Sequence, residues 1–268
     1  MEIAARLARA GSAVLRWIAV VMILLMFLYG GYSLWDTAMV YGGAFVSDDL
    51  LKFKPVDRGF GEANPTLEEL RLLNEDVCGW LTIDDTHIDY PVVQGEDDME
   101  YVNQNVYGEF SLSGAIFLSC MNHRDFSDGY HLIYGHHMDY GGMFGDVVEF
   151  TEEAYFDGHK TGKLFLPEHT YGITLFACVE TDASDTVIFR PQDQKKGDIS
   201  ALLEYIAEHA VQYRDIGVTE TDSVIGLSTC AEAETNGRVI VFGRLEQKEK
   251  TQEGDVNNEN GTKDQKDA

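Results

Sequence analysis

Leu227-Ser228-Thr229-Cys230 and Gly237-Arg238-Val239-Ile240-Val241-Phe242-Gly243-Arg244-Leu245 are two apolar runs that end and begin on reactive residue types. The first closes on a Cys, and the second opens with an Arg eight positions later. A third segment, Leu132-Ile133-Tyr134-Gly135-His136-His137-Met138, is an apolar strand that stops at a Gly and then presents two imidazoles. Runs rich in Val, Ile, Phe and Tyr and bounded by Gly, Asp and Asn read as strands. The same signal recurs at 79–83, 87–93, 115–118, 163–166, 171–179 and 187–189. Many short strands with few helices predict a β-barrel or a sandwich.

One helix interrupts the strands and a shorter one precedes them. Apolar residues at helical spacing from Ile199 to Val211, with Asp198 as candidate cap, predict a long helix before the Cys strand. Thr66-Leu67-Glu68-Glu69 after Pro65 has the capping-box pattern and predicts a short helix over 67–74.

Upstream, residues 17–35 carry no charge. As a helix they span about 28 Å, close to the hydrocarbon thickness of a bilayer. Trp17 stands at one end and Tyr29, Tyr32 and Trp35 at the other, as an interfacial belt requires. Arg6, Arg9 and Arg16 precede the run, whereas Asp36, Asp48 and Asp49 follow it. The positive-inside rule then keeps the N-terminus in the cytoplasm and exports the rest. The apolar run is too long for a signal peptide, and Gly30-Gly31-Tyr32 is a poor cleavage site. The chain divides into a cytoplasmic N-terminus (1–16), a transmembrane signal-anchor (17–35), a juxtamembrane spacer (36–65), a globular domain (66–246) and a polar, disordered tail (247–268).

The chain of 268 residues has a formal net charge of −26, and residues 36–245 hold 38 acids against 13 bases. Such a surface repels a nucleic-acid backbone, so no nucleic-acid partner is expected. The four cysteines, at 78, 120, 178 and 230, form no disulfide framework. Cys78 and Cys178 lie inside apolar runs and read as buried strand residues.

A Cys, a His and an Arg at three strand ends suffice for acyl transfer. A nearby cation favours the nucleophilic thiolate. Addition to a carbonyl builds an oxyanion that a fixed Arg stabilises, and a His protonates the leaving amine. His123, His131, His136, His137 and Cys120 also cluster in sequence. Their spacing lacks the short regular pairs of a zinc site, so neither metal nor cofactor is expected.

The three segments resemble a sortase of class B, and the resemblance runs over residues 74–245. Asn74-Glu75-Asp76-Val77-Cys78-Gly79-Trp80-Leu81, Thr86-His87-Ile88-Asp89-Tyr90-Pro91-Val92-Val93-Gln94, Gly114-Ala115-Ile116-Phe117-Leu118, Tyr134-Gly135-His136, Gly142-Met143-Phe144-Gly145 and Leu227-Ser228-Thr229-Cys230 follow one another in family order. The helix before the Cys strand matches the helical insert of the class. The resemblance implies a closed eight-stranded β-barrel with peripheral helices behind one N-terminal transmembrane helix.

It further implies a cysteine transpeptidase that joins surface proteins to the cell wall of a Gram-positive bacterium. Carried over by motif, Cys230 is the nucleophile, His136 the general acid or base, and Arg238 the oxyanion or substrate clamp. Ser228, Thr229, Val102, Asp98 and Phe189 fall in the family's substrate groove. The implied substrate is a C-terminal sorting signal resembling Asn-Pro-x-Thr-Asn or a Gly-ended variant, and the implied acceptor is a peptidoglycan amine. Two rivals stand beside the motif residues: His137 next to His136, and Arg244, which shares strand parity with Arg238. Glu232 is a candidate for polarising the site. Two other readings are a pilus enzyme using a pilin Lys as acceptor, and a non-catalytic or metal-binding surface module.

Overall fold

The computed structural model describes residues 1–58, 63–230 and 236–246. Nine strands follow in chain order: β1 (Val77–Ile83), β2 (Asp89–Val93), β3 (Ile116–Leu118), β4 (Tyr130–Tyr134), β5 (Thr161–Phe165), β6 (Thr170–Asp182), β7 (Ala210–Tyr213), β8 (Ser223–Cys230) and β9 (Gly237–Glu246). The spatial order is β5-β1-β2-β3-β4-β8-β9-β6, and β6 pairs back onto β5 to close an eight-stranded barrel. The pairs β2–β3 and β4–β8 are parallel.

Alternate residues of every barrel strand fill the interior: Leu81 and Ile83, Tyr90 and Val92, Ile116 and Leu118, Ile133, Leu164, Ile173 and Leu175, Ile225 and Leu227, Val239 and Val241. The opposite face is also covered. Tyr130, Leu132, Ile240 and Phe242 pack under Leu202 and Ile206 of helix α5 (Ser200–His209), which follows the short helix α4 (Glu153–Gly158) in the chain. Trp80, Val93 and Phe117 pack under Leu67 and Leu70 of helix α3 (Pro65–Arg71). Strands buried on both faces read as continuous apolar runs, which explains Val239-Ile240-Val241-Phe242.

Helix α1 (Glu2–Gly42) runs past the expected span, and its stretch Arg9–Gly42 is long and apolar enough to cross a membrane. Its large apolar side chains from Trp17 through Trp35 are exposed. Within the stretch read as a spacer, Ala44, Leu50 and Phe53 are buried, and α2 (Asp48–Leu51) is capped by the Ser47 hydroxyl. The expected tail, 247–268, lies outside the described residues.

Four local readings need correction. Residues 187–189 are a turn, because the Asp185 carboxylate accepts the Val187 and Ile188 amides at 2.9 and 3.2 Å and curls the chain. The predicted long helix stops at His209, and Val211-Gln212-Tyr213 adds to the free edge of β6 as strand β7. Asp198 bonds the Ser200 hydroxyl at 2.7 Å from just ahead of α5, whose N-cap is Ile199. The capping box is also not formed. Helix α3 starts at Pro65, its N-cap Asn64 gives its amide to Leu166 O and Thr170 Oγ1, and the Thr66 hydroxyl is buried without a partner.

Two buried groups bear on chemistry. Burial pushes the thiols of Cys78 and Cys178 up to about 12. Burial also lowers His131, an interior residue of β4 bonded to Ser223 Oγ at 3.1 Å, to about 4. The unfolded chain takes up this proton below its ordinary value of 6.5, whereas the folded chain does so only near 4. More protons are bound unfolded in that window, so stability falls as pH drops from 6.5 to 4. The loss is about 3 kcal/mol at 1.36 kcal/mol per pKa unit. Urea unfolding across this range is expected to show a clearly flatter pH dependence in His131→Leu. Parallel curves for the two chains would reject this role for His131.

Candidate active site

Three strand ends meet at one rim of the barrel. Parallel β4 and β8 pair Ile133 with Leu227 and Tyr134 with Ser228, and Gly135 N donates to Ser228 O at 3.1 Å. Two residues beyond that pair stand His136, just past the end of β4, and Cys230, the last residue of β8. Antiparallel β8 and β9 pair Cys230 directly with Arg238. Interior positions are odd-numbered on all three strands here, so Cys230 and Arg238 hold positions of outward parity. The candidate chemistry thus belongs to the outer wall, beside the loop that leads into α5.

Local chemistry explains why Gly precedes His136. A Cβ on Gly135 would lie 2.5 Å from Ile116 Cδ1 and 2.7 Å from the Phe144 ring, so only Gly lets the chain leave β4 over the core. The half-buried His136 ring donates from Nε2 to the Val102 carbonyl at 2.8 Å. That bond commits the Nε2 proton and leaves Nδ1 as the exchanging nitrogen. Gly114 lets this carbonyl sit close, with φ of 63° and a hypothetical Cβ 2.5 Å from Val102 O. Of the residues expected in the groove, Val102 therefore reaches His136 through its backbone.

The others divide into two groups. Phe189 stacks on Tyr134 with centroids 6.4 Å apart and planes 12° apart, while Phe117 packs against the same ring at 5.3 Å. Asp98 accepts the Ser119 hydroxyl at 3.1 Å and the Cys120 amide at 2.6 Å. Burial pushes the Tyr134 phenol up and Asp98 adds to this, while the Arg238 guanidinium pulls against them. Asp98, Tyr134 and Arg238 thus share one electrostatic neighbourhood, with Phe189 stacked on the Tyr134 ring. The Asp182 carboxylate, held below its usual range chiefly by the Ser184 hydroxyl and amide, also feels Arg238. Ser228 and Thr229, by contrast, are 1% and 2% exposed, and their hydroxyls have no hydrogen-bond partner among the described residues.

The rivals are placed elsewhere. Arg244 pairs across β9 with Val224 and binds Glu246 Oε1 at 2.7 Å and the Ile216 carbonyl at 3.0 Å. Six strand residues put it roughly 20 Å from Arg238. His137 forms a bridge with Met143, and its buried Nδ1 has no partner among the described residues. Glu232 lies outside the described residues. Of the other clustered histidines, His123 faces Asp128 at 3.9 Å, and His131 is sealed in the interior. Sequence reading missed Tyr134 as the platform under Phe189; its place directly before Gly135-His136 was the available signal.

No family model matches the chain. It is 32% identical over 187 residues to the sortase B of Listeria monocytogenes, covering 69% of this chain and 76% of that protein. A class B sortase of Streptococcus pyogenes involved in pilus biogenesis superimposes with a TM-score of 0.62 at 42% identity, covering 67% of this chain and 97% of that one. The sortase B–substrate complex of Staphylococcus aureus superimposes with a TM-score of 0.64 at 26% identity, covering 69% of this chain and 87% of that one. With the closed barrel, its helical insert and these relatives together, the chain belongs to the class B sortases, which are cysteine transpeptidases.

Proposed function

We propose that this sortase is anchored by α1 with its N-terminus in the cytoplasm, and that its barrel works outside the membrane. It cleaves a C-terminal sorting signal of the Asn-Pro-x-Thr-Asn or Gly-ended kind after Thr and transfers the protein to a peptidoglycan amine. One observation carries this reading. Strand pairing brings the position of Cys230 beside Arg238 and the exit of β4 that carries His136.

In this reading the Cys230 thiolate attacks the Thr carbonyl carbon. A C–S bond forms, and the carbonyl oxygen takes the negative charge opposite the Arg238 guanidinium. The intermediate collapses as the C–N bond breaks, and the departing amine takes a proton from His136 Nδ1. The acceptor amine then adds to the thioester and returns a proton to His136. The C–S bond breaks, and the thiolate is restored. Orientation of the imidazole by Val102 keeps the same nitrogen aimed through both halves. Asp98, Phe189 and Tyr134 line the approach of the signal.

A second reading keeps this chemistry and changes the acceptor to a pilin Lys. The 42% identity to a pilus-biogenesis sortase favours it. The test uses the full chain in detergent, a quenched Asn-Pro-Gln-Thr-Asn peptide with related motifs, and mass spectrometry of the enzyme. Cleavage after Thr with an acyl adduct on Cys230 is expected. Adding a peptidoglycan stem peptide or a pilin-derived Lys peptide then shows which amine captures the thioester. A folded chain with a titratable Cys230 thiol that cleaves none of the panel would overturn the substrate assignment.

A further inference from the structure

The segment after α1 is bonded to the loop that follows His136. Tyr41 donates its hydroxyl to Asp139 Oδ2 at 3.0 Å, and its ring lies 6.0 Å from that of Tyr140. Ala44 is fully buried, and its carbonyl accepts the Met143 amide at 3.1 Å and the Tyr90 hydroxyl at 2.8 Å. The Met143 amide also reaches the Tyr90 oxygen at 2.9 Å. One residue on, Phe144 N donates to the carbonyl of His136 at 2.9 Å. Two hydrogen bonds, Met143 N to Ala44 O and Phe144 N to His136 O, therefore connect Ala44, just past the apolar helix, to the His136 backbone through the Met143–Phe144 peptide.

The loop does not hold this shape by its own preference. Tyr140 and Met143 have φ of 59° and 52°, in the left-handed region that side chains with a Cβ avoid. Two such residues within four persist only where the surroundings over-determine them. Met143 is 2% exposed, whereas Tyr140 is 82% exposed and gains nothing from burial. Tyr41 and Ala44 on one side and Tyr90 of β2 on the other supply the restraint. Burial pushes the Tyr90 phenol up to about 12, so it stays a donor throughout the working pH range.

We propose that residues 41–44, with Tyr90 as their clasp, are a positioning element that sets the His136 imidazole for proton transfer. The inference rests on the reading of His136 as the acid–base residue. It makes the exit of the membrane helix part of the active-site scaffold. Tyr41, Ala44 and Tyr90 act through the loop and touch no substrate.

The test uses the full chain in detergent with the best-cleaved peptide. Tyr90→Phe removes the hydroxyl that bonds both the Ala44 carbonyl and the Met143 amide, leaving only their direct hydrogen bond, and Tyr41→Phe cuts the exposed tie to Asp139 without opening the core. Expected are a fall in kcat of about tenfold for the first and about threefold for the second, with KM within twofold. The pH–rate limb that belongs to the imidazole should move in Tyr90→Phe. Lys54→Met serves as control. It breaks the Lys54–Asp89 ion pair farther along the same segment, and should lower the melting temperature while leaving kcat and the pH profile unchanged. Wild-type kcat and pH profile in both Tyr variants, in an assay where His136→Ala is inactive, would overturn the proposal. So would an equal kcat loss in Lys54→Met, since the effect would then be stability alone. Full turnover by His136→Ala removes the acid–base assignment instead, and the inference falls with it.

Discussion

Cys230→Ala is expected to lower turnover of the peptide by at least about 10⁴-fold, with peptide affinity within a few-fold of wild type. Loss of a nucleophile leaves only the residual catalysis of the binding site and oxyanion stabiliser, and nucleophile knockouts fall by factors of this order or more. The fold should not suffer. Cys230 is the last residue of β8, and its backbone pairing with Arg238 does not depend on the side chain. Far-ultraviolet circular dichroism and the urea midpoint provide the check. A variant that keeps more than a hundredth of the wild-type rate would remove Cys230 from the role of nucleophile.

The second large effect separates each motif residue from its rival. His136→Ala should cost about 10³-fold in kcat, within the range for general acid–base groups, and Arg238→Ala about 10²-fold or more. His137→Ala and Arg244→Ala should each stay within threefold. Arg244→Ala should lower stability by about 1–3 kcal/mol, because it leaves Glu246 and the Ile216 carbonyl without their charged donor. Arg238→Lys should recover little, since a single ammonium does not reproduce the planar fork of a guanidinium. Comparable losses for Arg238→Ala and Arg244→Ala would contradict the register of β9 as the device that selects the clamp.

That register was only partly legible from residues alone. The apolar runs ending on Cys230 and opening on Arg238 announced two strands, and Tyr134-Gly135-His136 announced a strand exit. Parity leaves Arg238 and Arg244 open; pairing with β8 sets one opposite Cys230 and the other opposite Val224, which is why Arg238 is the proposed clamp. The Val102 carbonyl was invisible in its new role, because a backbone oxygen carries no residue identity. Likewise Val211-Gln212-Tyr213 continued a helical pattern, and only the open edge of β6 turned it into a strand. Residues 187–189 carried a strand composition, but Asp185 satisfied their amides locally before any ladder could. The contacts of Ala44 depended on a distant loop, and an alanine gives no chemical hint of what its carbonyl will hold.

The buried thiols have a consequence for covalent pharmacology. Cys78 and Cys178 have pKa values of about 12 and are shielded from solvent, so at neutral pH neither presents a thiolate to an electrophile. Cys120 is only half-buried, but burial and the Asp98 carboxylate also push its thiol above the ordinary value. A thiol-directed warhead therefore meets three poor targets in the native chain. Loss of labelling in Cys230→Ala would therefore assign the reactive thiol to position 230 without first stripping the protein of its other cysteines.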